Sequence, residues 1–121
     1  MTKSIFLVAV VVLAMSGPLL AQSSCVAPTA PEPINGATAS QEEVLAAVRE
    51  AKAFIAQSEL YQNCLAQEVE DAKARAAAEN RPFDQQIARL AGSMTGQSQK
   101  LKEKVGTEAN GAVDAYKKAH P

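Results

Sequence analysis

Phe54-Ile55-Ala56-Gln57-Ser58-Glu59-Leu60-Tyr61-Gln62-Asn63-Cys64-Leu65 is the stretch whose reading decides the fold. Large apolar side chains recur every three or four residues, the period of one helical face. The same twelve residues hold one of the chain's two cysteines. Upstream, Ser40-Gln41-Glu42-Glu43 is a capping box: the Ser40 hydroxyl can accept from the Glu43 amide, and the Glu43 carboxylate from the Ser40 amide. The face then runs Val44, Val48, Ala51, Ile55, Ser58, Leu65 and Val69, with Phe54, Leu60 and Tyr61 widening it. Neither glycine nor proline interrupts 41–79, and alanine is abundant, so helix propensity is high. One helix is predicted from Gln41 to about Glu79.

Downstream, Asn80-Arg81-Pro82 reads as a break, with Asn80 suited to cap and Pro82 to the first turn of a second helix. Phe83, Ile87, Leu90, Met94, Leu101, Val105, Ala109, Val113 and Tyr116 again share one face. Gly92, Gly96, Gly106 and Gly111 each cost up to about 1 kcal/mol relative to alanine, which predicts fraying or kinking between Gly92 and Gln99. Two long amphipathic helices joined by a tight turn bury their stripes against each other as an antiparallel, coiled-coil-like hairpin. Counting from the turn, Val69 is expected against Ile87–Leu90, Leu65 against Leu90–Met94, and Ile55 against Leu101–Val105.

Ahead of the capping box, Cys25 to Ala39 reads C-V-A-P-T-A-P-E-P-I-N-G-A-T-A, an extended, polyproline-like segment ending in an Asn35-Gly36 turn. Earlier still, Lys3, an apolar run from Ile5 to Met15, Ser16-Gly17-Pro18 and Leu19-Leu20-Ala21 follow in the order of a secretory signal peptide, with cleavage expected after Ala21. The alternative is an uncleaved membrane anchor, against which the short run and Gly17-Pro18 argue. A lipid-modified cysteine would have to sit at the cleavage site, and Cys25 lies beyond it. The chain divides into a leader (1–21), an extended strip (22–39) and a helical hairpin (40–119).

Two cysteines in a short exported chain read as a disulfide, Cys25 to Cys64. Helix rise places Cys64 about 35 Å from the Ser40 end, and fifteen extended residues cover about 46 Å. The bond therefore forms only if the strip doubles back along the first helix, across Phe54 and Tyr61. Closing that loop contributes about 4 kcal/mol in the chain-entropy picture.

Little else carries chemistry. Without its leader the chain has 11 basic side chains against 13 acidic ones, a net charge of −2, which gives no reason to expect nucleic acid. Glu68, Glu70, Asp71 and Asp84 lack a partner histidine or a glycine-turn loop and read as a solvated face. His120 is the sole histidine and makes no metal site by itself. Ser23, Ser24, Ser58, Ser93 and Ser98 have no base near them. Lys100, Lys102 and Lys104, with Lys117 and Lys118, point in different directions around a helix and read as solubilising surface. Cys64 has no C-x-x-C partner and reads as structural. No catalytic residue, metal ligand or cofactor is assigned.

Cys25-x-x-Pro28-x-x-Pro31, Gly36-x-Thr38, Phe54-Ile55, Tyr61-x-x-Cys64-Leu65 and Asn110-x-x-Val113-x-x-Tyr116-Lys117 together resemble a family of small, uncharacterised exported proteins of Gram-negative bacteria. The resemblance covers about residues 25–65 and 110–117, and Ala109 departs from that family's Phe. It brings no activity and no site residue. The sequence points to a non-catalytic periplasmic module that binds itself or an envelope protein, with membrane contact only through an uncleaved leader. The competing reading, a small ligand carrier or enzyme, needs a concave pocket that a two-helix hairpin rarely provides.

Overall fold

The capping box forms as the sequence predicts: Glu43 N donates to Ser40 Oγ at 3.2 Å, and Ser40 N donates to Glu43 Oε2 at 2.6 Å. Helix α1, Gln41–Ala78, starts there in the computed structural model, which describes residues 23–121. The leader, its cleavage bond and the anchor alternative lie outside the described residues. Helix α2 is Gln85–Ala119, and the two pack antiparallel with no strand among the described residues. This is the all-α hairpin the sequence predicts, tied to its extended strip by Cys25–Cys64.

The break between the helices is built differently from the sequence expectation. Asn80 does not cap α2; it ends α1 in the left-handed region at φ 51°. Arg81 N donates to Ala76 O and Asn80 N to Ala77 O, the paired bonds of a Schellman motif, in which asparagine is second only to glycine. Pro82 lies in the linker, and Asp84 caps α2 by accepting from Gln86 N at 2.9 Å.

Helix α2 is also unbroken where kinking was expected. Gly92, Gly96, Gly106 and Gly111 all lie within it. Their intrinsic cost, at most about 1 kcal/mol each, is overridden by tertiary packing along α1.

A further correction concerns which face of the first half of α2 turns inward; in the second half Val105, Ala109 and Tyr116 of the expected face do so. Ala88, Ala91, Thr95, Ser98, Lys102, Val105, Ala109, Ala112 and Tyr116, spaced alternately by three and four, form a continuous row of less exposed positions, with Met94, Gly106, Glu108, Val113 and Ala115 half-buried beside it. Ile87, Leu90, Met94 and Leu101 each precede one of these by one position and are rotated about 100° from them. Ile87, Leu90 and Leu101 are exposed, Leu90 at 61%. The expected pairing of Val69 and Leu65 with Ile87 and Leu90 therefore does not form the core. Small side chains bring the helices together instead, with Ala72 and Ala76 of α1 buried beside Leu65 in its last turns. The expected meeting of Ile55 with Val105 is present, around a cluster of Ala51, Phe54 and Val105.

Leu65 is 1% exposed and Leu90 is 61% exposed, so truncation separates this inward face from the one expected. Leu65→Ala should lower stability by about 2–5 kcal/mol. Leu90→Ala should stay within about 0.5 kcal/mol. Urea unfolding midpoints check both.

Candidate functional site

Positions 47, 54, 61 and 68 of α1 are seven apart, so Ala47, Phe54, Tyr61 and Glu68 lie in one row along the helix. The strip runs the length of that row, antiparallel to α1. Its Pro31–Ile34 end sits beside Ala47, Ala51, Val105 and Ala112. Thr29 and Pro31 flank Phe54, Ala27 and Pro28 cross Phe54 and Tyr61, and Ser23 and Ser24 reach Glu68. Phe54 and Tyr61 are left 4% and 8% exposed, buried as the returning strip requires. Rigid pyrrolidines on flat rings make this contact at low conformational cost.

Both ends of the strip are fixed, by different means. At one end Asn35 O accepts from Thr38 N and Ala39 N, and Asn35 Oδ1 from Ala37 N, closing the turn before Ser40. Gly36 is buried there against α2: a Cβ on it would fall 1.8 Å from Ala112 O. Close backbone approach, rather than an unusual φ, demands the glycine. At the other end Cys25 is bonded to Cys64, their Cα atoms 5.8 Å apart.

Beside the disulfide, Glu68 holds the strip's first residues. Its Oε2 accepts from Ser23 Oγ at 2.8 Å, and its Oε1 accepts from Ser24 N and Ser24 Oγ, both at 2.7 Å. These bonds, that from the Ser24 hydroxyl foremost and that from Ser23 next, hold the Glu68 carboxyl below its ordinary pKa. By sequence pattern Glu68 belongs to a solvated acidic face, and Ser23 and Ser24 are serines without a base. The seven-residue step from Tyr61 to Glu68 was the signal available.

The remaining candidates stay apart. Glu70 pairs with Lys73, Asp71 accepts from Gln67, and Asp84 is spent on its cap. Lys102 reaches Glu59 at 3.3 Å and Lys104 reaches Glu108 at 3.7 Å, while Lys100, Lys117 and Lys118 are exposed. His120 caps the end of α2 with its ring stacked on Tyr116 at 4.2 Å. Ser93 is exposed, and Ser98 accepts from Gln62. Ser58 is fully buried beneath the strip, its hydroxyl without a hydrogen-bond partner among the described residues.

Hollows lie on both sides of the strip at Ala27–Pro28. A cleft of about 150 Å³ opens on the α2 side between Ala27–Pro28 and Phe54, Tyr61, Met94 and Leu101. On the α1 side a shallow, open depression of about 370 Å³ is lined by Val26, Gln57, Leu60, Tyr61 and Cys64. Comparison with protein-family models, curated proteins and solved structures finds no match to this chain.

Tyr61→Ala should cost about 2–4 kcal/mol and make the disulfide easier to reduce, because the strip loses its seat. Urea midpoints of the oxidised proteins check this, and an unchanged midpoint would make the strip a mere tether.

The latch also predicts a pH dependence. A folded carboxyl pKa lying below the unfolded one contributes stability above the ordinary glutamate range and loses it as pH falls through the lowered folded value. The Glu68 carboxyl resonance should accordingly titrate at lower pH in the folded protein than in the urea-unfolded chain. Coincident midpoints would remove the latch.

Proposed function

We propose that this chain is an exported, periplasmic and non-catalytic interaction module of the bacterial cell envelope, its leader cut after Ala21, and that it binds through the face bearing the strip. One observation carries the reading: between Glu68 at one end and Glu32 at the other, the strip is uncharged and is flanked by exposed apolar side chains. Ser23 to Pro31 contains no charged side chain. Beside it Val26 is 86% exposed and Leu60 is 70% exposed, and together they line the open depression. Leu90, one turn before Met94, extends the apolar surface along α2. The disulfide supports an oxidising compartment. No helix among the described residues is long and apolar enough to cross a membrane. The partner is a second copy of the chain or an envelope protein.

The α2-side cleft favours the second reading, a small-ligand carrier, but its size weighs against it. Ligand pockets commonly occupy about 300–1,000 Å³. A space of about 150 Å³ admits little more than one aromatic ring.

Photo-crosslinking in the native envelope tests the face directly. A crosslinker at position 60 or 90 should give discrete adducts. One at Ala66, exposed and about 120–140° round α1 from both Leu60 and Tyr61, should give none. Where the adduct is a dimer, Leu60→Glu should shift the protein to monomer in sedimentation. Equal labelling from all three positions, or none from any, would refute the reading.

A further inference from the structure

Cys25 Sγ, Cys64 Sγ and a Glu68 carboxylate oxygen all lie within 4.8 Å of one another. Cys64 and Glu68 are four apart on α1 and so project from the same side, one turn from each other. The strip brings Cys25 to them from outside the helix. Two sulfurs and one carboxylate oxygen match a zinc donor set, with water as the fourth ligand.

Glu68 is prepared for such a role in a way a solvated glutamate is not. Three hydrogen bonds from Ser23 and Ser24 orient it, and no lysine or arginine pairs with it among the described residues. A carboxylate oxygen accepting these bonds still has lone-pair capacity for a metal. Outer hydrogen bonds of this kind fix ligating carboxylates in metal sites.

We infer that reduction of the Cys25–Cys64 bond converts the latch into a site for one thiophilic divalent cation, Zn²⁺, held by Cys25, Cys64 and Glu68. The disulfide accepts two electrons and two protons from a dithiol reductant, which leaves as its own disulfide, and two thiols remain. The cation then displaces the two thiol protons to solvent and binds both thiolates. The sulfurs separate from bonding distance to about 3.8 Å, the span across a tetrahedral zinc with Zn–S of about 2.3 Å. Side-chain rotation accommodates this if reduction loosens only the Ser23–Cys25 end, the contacts at Phe54, Tyr61 and Gly36 holding the rest of the strip. The ion takes over as the strip's clasp, and the site exists only in the reduced protein.

Anaerobic titration of the phosphine-reduced protein with Co²⁺ tests this, since a tetrahedral thiolate site gives sulfur-to-cobalt charge transfer and intense visible bands. The expected result is one Co²⁺ per chain, displaced by Zn²⁺, with no binding to the oxidised protein. Ser24→Ala and Glu68→Gln should each weaken binding by about 10-fold or more, and helical circular dichroism of both variants confirms that they remain folded. Zn²⁺ should also restore protection of the strip's Ser23–Cys25 end against proteolysis in the reduced protein. Absence of stoichiometric binding, one ion shared by two chains, or affinity unchanged in Glu68→Gln would each overturn the proposal.

Discussion

Two helices that meet through alanine, serine and threonine bury too little apolar surface to hold each other, and this constraint shapes the rest of the molecule. The inward positions of the first half of α2 are Ala88, Ala91, Thr95, Ser98 and Lys102. The large side chains are displaced to the seam, where Phe54 and Tyr61 of α1 face Met94 and Leu101 of α2. The strip lies in that seam and turns a hairpin into a three-element core. Covalent closure matters because the buried area is small: a loop spanning 39 positions contributes about 4 kcal/mol, a large share for so short a chain.

Much of this was legible in the sequence, and for local reasons. Ser40 and Glu43 announce the start of α1 because a capping box is a short-range pattern. The return of the strip followed from the reach of an extended chain and the placing of two cysteines. The rotation of α2 was not legible. Ile87, Leu90, Met94 and Leu101 satisfy a three-and-four spacing as well as the true inward row does, and hydropathy favours them. Small residues won because they allow close approach of the backbones, while Met94 and Leu101 line the cleft beside the strip. Asn80 was misplaced because asparagine suits both the end of one helix and the start of the next. The deciding φ depends on how the turn closes.

The site was legible only in part. Phe54 and Tyr61 stood out as half the aromatics after residue 22, and their burial beneath prolines follows from polyproline geometry. Glu68 did not stand out, because a glutamate beside Glu70 and Asp71 looks like any acidic helical surface. Its role depends on two serines 44 and 45 positions away, a separation no local pattern encodes. Gly36 is similar: its need for a bare Cα is set by Ala112 at the far end of α2. Contacts made by the strip across the groove are the ones sequence periodicity leaves unread.

The central claim is that the strip is part of the core. Nuclear Overhauser contacts in the oxidised protein test it most directly, measured between the ring protons of Pro28 and the aromatic protons of Phe54 and Tyr61. Strong contacts, with proline resonances shifted by ring currents, are the predicted result. Their absence, with proline shifts at random-coil values while both helices remain formed, would contradict it.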